Sequence, residues 1–380
     1  MAELEPKPGI LDIAPYVGGN AGAWEGGAET APAINIASNE TPLGPSPRAV
    51  EAYRQAAEEL HRYPDGGSTG LRATLGRHHG LAPDRIVCGS GSDELLGLLA
   101  RAYAGPGDEI IHTEHGFMMY PIIARSVGAV PVAVAETELT ANVDAILAVA
   151  GEKTRIVFLA NPNNPTGTYI SAAEVARLRA GLAEATLLVL DAAYAEYVGR
   201  NDYEPGIEMV NSHTNVVMAR TFSKIYGLAA LRVGWVYCPD KIADILNRMR
   251  GPFNVSAPGM AAAAAAIDDI AHRDRARALN DEGLPWFSAQ CNALGLTAVP
   301  SVANFVLVRF ADETSAGAAH GFLADHRIRA RAMGGYGLPD CLRFTIGRRE
   351  DMERVVEVLA AFLEGPGGKG KGTVEGDGDG

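Results

Sequence analysis

Four short runs combine residue types and spacings that could do chemistry. Lys224 stands in Arg220-Thr221-Phe222-Ser223-Lys224-Ile225-Tyr226-Gly227-Leu228, between a β-branched run and an apolar one, with Arg232-Val233-Gly234-Trp235 following. Among apolar and cationic groups a lysine's pKa falls, and its neutral amine can attack an aldehyde. Ser223 and Arg232 add a hydroxyl and a guanidinium suited to a phosphate. Asp191 ends the apolar run 187–190 and opens Asp191-Ala192-Ala193-Tyr194. A carboxylate at the end of a buried strand is costly without a partner. The protonated pyridine nitrogen of an electron-sink cofactor would be one.

The other two runs suit the rest of such a ligand. Gly89-Ser90-Gly91-Ser92-Asp93-Glu94 lies between a strand-like and a helix-like segment, where a tight turn exposes N–H groups to an anion. Glu94 stands where a dinucleotide fingerprint needs glycine, which disfavours a nicotinamide site. Asn161-Pro162-Asn163-Asn164-Pro165-Thr166-Gly167 follows an apolar run, at the strand end where open α/β sheets bind ligands. Each run also has an ordinary structural reading: Ser92, Asp93 or Asp191 as a helix cap, the Asn/Pro run as a plain turn, Lys224 as a structural lysine. Their co-occurrence is what points to one site. His112 and His115 have HxxH spacing but no third ligand, so no metal is expected.

The elements that must position these residues are legible as an alternation. Apolar or β-branched runs at 85–88, 109–112, 130–134, 156–159, 186–190, 216–218 and 233–238 alternate with helical segments, including 93–103, 120–127, 143–149 and 172–183. That pattern predicts an α/β fold with a largely parallel seven-stranded sheet. A helical stretch over 240–293 precedes strand-like runs at 304–310 and 342–346 and a closing helix at 349–363, a smaller α+β unit. The expected organisation is an N-terminal arm at 1–45, a large domain at 46–265, a small domain at 266–364 and a disordered Gly-rich tail at 365–380.

The chain of 380 residues is 47% hydrophobic and 21% charged, as in a soluble globular enzyme. Its net charge of −13 argues against nucleic-acid binding. The 4 scattered cysteines, Cys88, Cys238, Cys291 and Cys341, read as buried thiols in a reducing, cytoplasmic setting. No signal peptide is expected, and the longest apolar run, Met260 to Ile267, is too short to span a membrane.

Asn-Pro-x-Asn-Pro-Thr-Gly, then Asp-x-x-Tyr, then Ser-Lys-x-x-Gly-Leu-x-x-x-Arg-x-Gly resembles the class I/II, fold type I aminotransferases dependent on pyridoxal 5'-phosphate. Ala14-Pro15-Tyr16, Ser38-Asn39-Glu40-Thr41-Pro42, Arg62-Tyr63-Pro64-Asp65, Thr113-Glu114-His115-Gly116-Phe117 and Gly334-Gly335-Tyr336-Gly337-Leu338-Pro339 bring it nearest to the histidinol-phosphate aminotransferases of histidine biosynthesis. The likeness spans about residues 10–363.

The resemblance implies that Lys224 carries the cofactor as a Schiff base and Asp191 partners its ring nitrogen. It assigns Asn164 and Tyr194 to the ring's 3'-oxygen and Phe117, where many relatives have Tyr, to stacking on the ring. Ser92, Asp93, Ser223 and Arg232 match the phosphate cup. Tyr63 matches a tyrosine that reaches the cofactor of a neighbouring subunit, implying a homodimer with shared active sites. Tyr16, Asn39, Arg331 and Arg343 match substrate-binding positions, with Arg343 clamping the α-carboxylate and Arg329 as a competitor for the place of Arg331. Ala192 departs from the family, where Glu is common. The implied reaction is ping-pong transfer of an amino group from histidinol phosphate to 2-oxoglutarate. An aromatic amino-acid aminotransferase, or a decarboxylase of a phosphorylated amino acid using the same cofactor, would share these motifs.

Overall fold

The structure is a computed structural model that describes residues 6–16, 18 and 34–365. The expected tail beyond 365, and 1–5, 17 and 19–33 of the expected arm, lie outside the described residues. These fall into two compact units: 6–16, 40–281 and 301–304 in the first, 18, 34–39, 282–300 and 305–365 in the second.

The first unit is built on the seven-stranded sheet that the alternation predicts. Its order is Ile86–Gly89, Gly234–Tyr237, Val216–Thr221, Leu187–Asp191, Thr154–Ala160, Glu109–Thr113, Val130–Val134. Every neighbouring pair is parallel except the two made by Gly234–Tyr237, which runs against both its neighbours. The central strands read as unbroken apolar runs because both faces are covered. Leu188, Val189, Val216 and Val217 are fully buried, and Leu95, Leu96, Leu98 and Leu99 of the helix Ser92–Tyr103 are too.

Local chemistry sets the helix starts. Ser46, Asn142, Ser171 and Ser256 each accept the N–H three residues on, and Pro47 and Pro258 occupy the first turns after Ser46 and Ser256. The helical stretch expected over 240–293 is three helices, Asp240–Met249, Ala257–Asp268 and Ile270–Ala293. Pro252 follows the first and Pro258 is pre-set for the start of the second. Among the described residues no helix is long and apolar enough to cross a membrane.

The second unit is α+β. Its sheet runs Arg331–Ala332, Cys341–Thr345, Phe305–Arg309, Thr297–Ala298, all antiparallel, and is accompanied by the helices Glu313–Asp325 and Arg349–Glu364. A short parallel pair, Ile34–Asn35 with Ile328–Arg329, stands apart.

Candidate active site

Strand register in the first unit explains why four distant motifs meet. Ala160 pairs with Asp191, Asp191 with Ala219, and Gly234 with both Thr221 and Gly89. The loops that follow Gly89, Thr113, Ala160, Asp191 and Thr221, and the loop that precedes antiparallel Gly234, therefore leave the sheet along one edge. Those loops carry Ser92 and Asp93, Phe117, Asn164, Tyr194, Ser223 with Lys224, and Arg232. The carboxyl end of a parallel sheet is where such folds bind ligands.

Asp191 is 5% exposed. Its Oδ2 accepts the Tyr120 hydroxyl at 2.9 Å, whereas no hydrogen-bond partner among the described residues meets Oδ1. Burial pushes the carboxyl up to about 6, against the hydrogen bond from Tyr120. It caps no helix, since the short 3-10 turn Ala195–Tyr197 begins beyond Tyr194. A buried carboxylate with one unmet oxygen at a ligand-binding edge fits a cationic ring N–H. Lys224 is half-buried, its amine 5.7 Å from the centre of the buried Tyr194 ring.

An anion cup lies on the same edge. Arg232 donates to Ser223 Oγ at 3.3 Å and to Asp93 Oδ2 at 3.1 Å. Gly91, at φ +80, caps the helix Ser92–Tyr103 with its backbone, so neither Ser92 nor Asp93 is the cap. A Cβ on Gly91 would come within 2.4 Å of the Arg232 guanidinium, and one on Gly234 within 2.3 Å of Ser92 N. Both glycines are needed to let the loop, the strand and the arginine close up. The Asp93 carboxylate would repel a phosphate directly, so its use is to hold Arg232 while the helix N-terminus offers N–H groups.

Aromatic rings line up toward Asp191. Tyr16 meets Phe117 edge-on at 6.5 Å, Phe117 meets Tyr120 edge-on at 5.7 Å, and Tyr120 stacks on Phe158 at 4.9 Å. Tyr63 is elsewhere: 83% exposed, it stacks on Phe253 at 4.6 Å. Asn161 pins the Asn/Pro turn through paired bonds with Ile170, and Asn163 donates to Thr166 Oγ1 and the His115 carbonyl. His112 and His115 are engaged within the protein, with the Thr113 carbonyl and with Glu136. Among the described residues no group of three or more His, Cys, Asp or Glu could hold a metal.

The second unit brings together Asn39, Arg331 and Arg343. Arg343, buried on Cys341–Thr345, donates to the Ala37 carbonyl at 2.8 Å. Asn39 N–H donates to the Thr345 hydroxyl, which donates back to Asn39 Oδ1. Register separates the two nearby arginines: Arg331 stands opposite Arg343, whereas Arg329 pairs with Asn35 in the other strand pair.

Residues 31–359 match the family of class I and II aminotransferases. The chain belongs to that family. Among similar proteins, the histidinol-phosphate aminotransferase of Paramagnetospirillum magneticum is 57% identical over 365 residues, 96% of this chain and 99% of that one. That of Rhodospirillum centenum is 54% identical over 95% and 99% of the two chains. The crystal structure of histidinol-phosphate aminotransferase from Sinorhizobium meliloti in complex with pyridoxal-5'-phosphate superposes with a TM-score of 0.88 at 31% identity, covering 96% of this chain and 98% of that one.

Sequence reasoning missed the groups that steady this aminotransferase's site. Tyr120 is one. Arg220 and Glu196 are another pair, at 2.7 Å with side chains 5% and 9% exposed, the guanidinium 5.7 Å from the Trp235 ring centre. The pair ties the strand before Lys224 to the turn after Tyr194. The i,i+3 spacing of Phe117 and Tyr120, and the charges flanking both motifs, were the available signals. Removing one member leaves a buried, uncompensated charge, so Glu196→Ala should cost about 3–5 kcal/mol of stability, read by denaturant unfolding.

Proposed function

We propose that this chain is a pyridoxal 5'-phosphate-dependent histidinol-phosphate:2-oxoglutarate aminotransferase. The observation that carries the chemistry is Asp191, whose buried Oδ1 meets no hydrogen-bond partner among the described residues. Near-full-length likeness to histidinol-phosphate aminotransferases supports the donor.

Lys224 would hold the cofactor, with Asp191 on its ring nitrogen, Asn164 and Tyr194 on its 3'-oxygen and Phe117 against its ring face. Ser92, Ser223 and Arg232 would take the phosphate, with Asp93 steadying Arg232. Bound there, pyridoxal phosphate supplies an electron sink for the bond broken at the substrate's α carbon. Lys224, once its place is taken by the substrate amine, would be free to take the proton from that carbon and hand it on. Water would supply the oxygen of the keto product, which would leave before the oxo acid enters, and Lys224 would then move the proton in the opposite direction. Tyr63, with its ring set outward on Phe253, would reach the cofactor phosphate of a second copy, so the working form is a homodimer. The 4 free, buried cysteines support a cytoplasmic setting.

Histidinol phosphate has a phosphate ester where an amino acid has its carboxylate, so one anion pocket must serve donor and acceptor. Arg331 stands opposite Arg343 across a strand pair, and two guanidiniums so placed suit an anion bound by both. By likeness to the family, the Tyr16 hydroxyl, its ring beside Phe117, would serve the donor phosphate and Asn39 would serve as a substrate contact. Arg343→Lys removes the bidentate fork but keeps the charge. It should lower kcat/KM about 10²-fold for histidinol phosphate and 2-oxoglutarate alike, measured by steady-state assay of each substrate.

A donor screen tests the function as a whole. Histidinol phosphate should turn over only with an oxo-acid acceptor and faster than phenylalanine. Turnover of phenylalanine alone would mark an aromatic aminotransferase, and acceptor-independent release of carbon dioxide from a phosphorylated amino acid would mark a decarboxylase.

A further inference from the structure

We propose that Tyr120 is a positioning residue for the cofactor: its hydroxyl fixes one oxygen of Asp191 so that the other is held toward the ring nitrogen. The inference rests on the cofactor reading above.

Three observations carry it. The Tyr120 hydroxyl donates to Asp191 Oδ2 at 2.9 Å, and that bond accounts for one of the two carboxylate oxygens. Oδ1 meets no hydrogen-bond partner among the described residues. A carboxylate anchored by one oxygen cannot turn about its own bond without breaking that anchor, so the second oxygen keeps one direction.

The anchor itself cannot swing. Tyr120 is 1% exposed, and its ring lies flat on Phe158 at 4.9 Å and 11°. Phe117 closes its edge at 5.7 Å and 90°. Phe158 sits on the strand beside that of Asp191, pairing with Val189, so both ends of the contact rest on adjacent strands. The Tyr120 N–H bonds the Phe117 carbonyl at 2.9 Å, so one turn sets both the ring that would stack on the cofactor and the hydroxyl behind it. Burial and the Asp191 charge hold the phenol well above its ordinary pKa, so it remains a donor. Such a bond preorganises a charge before the ligand arrives, instead of at the moment of binding.

The test compares two aldehydes on apo-protein. One is pyridoxal 5'-phosphate, and the other is its analogue with carbon in place of the ring nitrogen, which offers Asp191 no N–H. Dissociation constants are measured for wild type and Tyr120→Phe, with melting of each apo-protein as a check on folding. Wild type should prefer pyridoxal phosphate, and Tyr120→Phe should lose about tenfold of that preference, the analogue's affinity being unchanged. Phe158→Leu, which loosens the ring's seat but keeps the hydroxyl, is the second variant and should narrow the preference by less. An equal loss for both aldehydes would make Tyr120 mere packing and overturn the proposal, as would an unaltered preference in a folded Tyr120→Phe. Wild type that binds neither aldehyde would overturn the cofactor assignment itself.

Discussion

Lys224→Ala should abolish transamination, by at least about 10⁴-fold in kcat, and should remove the visible absorbance of lysine-bound cofactor. Two losses combine in this one substitution. The covalent attachment disappears, and so does the base that moves the proton at the substrate's α carbon. Asn164, Tyr194, Asp191 and the cup around Arg232 remain, so the variant should still bind pyridoxal phosphate without the covalent link. Absorbance spectra of purified wild type and variant, beside their turnover of histidinol phosphate, read both effects. A retained band in Lys224→Ala would place the attachment on another lysine.

Asp191→Asn should show function and stability moving in opposite directions. In the apo-protein, burial raises the Asp191 carboxyl from 3.8 to about 6. Between those values the folded state binds more protons than the unfolded state, so this group's contribution to stability falls as pH rises from about 4 to about 6. Above that window the full penalty is present. A neutral amide avoids it, so the apo variant should be about 1–3 kcal/mol more stable than wild type at pH 7–8. The difference should shrink toward zero near pH 4. The same change removes the anion that keeps the ring nitrogen protonated, so turnover should fall about 10²–10³-fold. Chemical unfolding of the apo forms across pH 4–8, with assays of the loaded forms, checks both halves.

The placement of Asp191 and its neighbours on one edge of the sheet shows which parts of the candidate site are legible in the sequence. Asp191, Asn164, Lys224 and Arg232 each sit in a short run whose neighbours supply the turn or the strand end, and local order preserves such information. The alternation of β-branched runs and helix formers likewise predicts the seven-stranded sheet, because a parallel sheet buried on both faces needs unbroken apolar strands. Where the reading fell short, a distant partner altered the local rule. The strand expected at 216–218 runs from Val216 to Thr221 because Glu196 and Trp235 meet the charge of Arg220 inside it. Tyr120 reaches Asp191 across 71 positions, a pairing that no spacing predicts. Telling the place of Arg331 from that of Arg329 needs strand register, since the two alternate along one short run but pair with different strands.

The most direct measurement of the central claim is a two-step spectral titration of the pyridoxal phosphate-loaded protein. Histidinol phosphate added without an acceptor should convert the visible band of the lysine-bound cofactor to one at shorter wavelength, with stoichiometric release of a keto product. Subsequent 2-oxoglutarate should restore the original band and yield glutamate. A band that histidinol phosphate leaves unchanged, or one that 2-oxoglutarate fails to restore, would contradict the account.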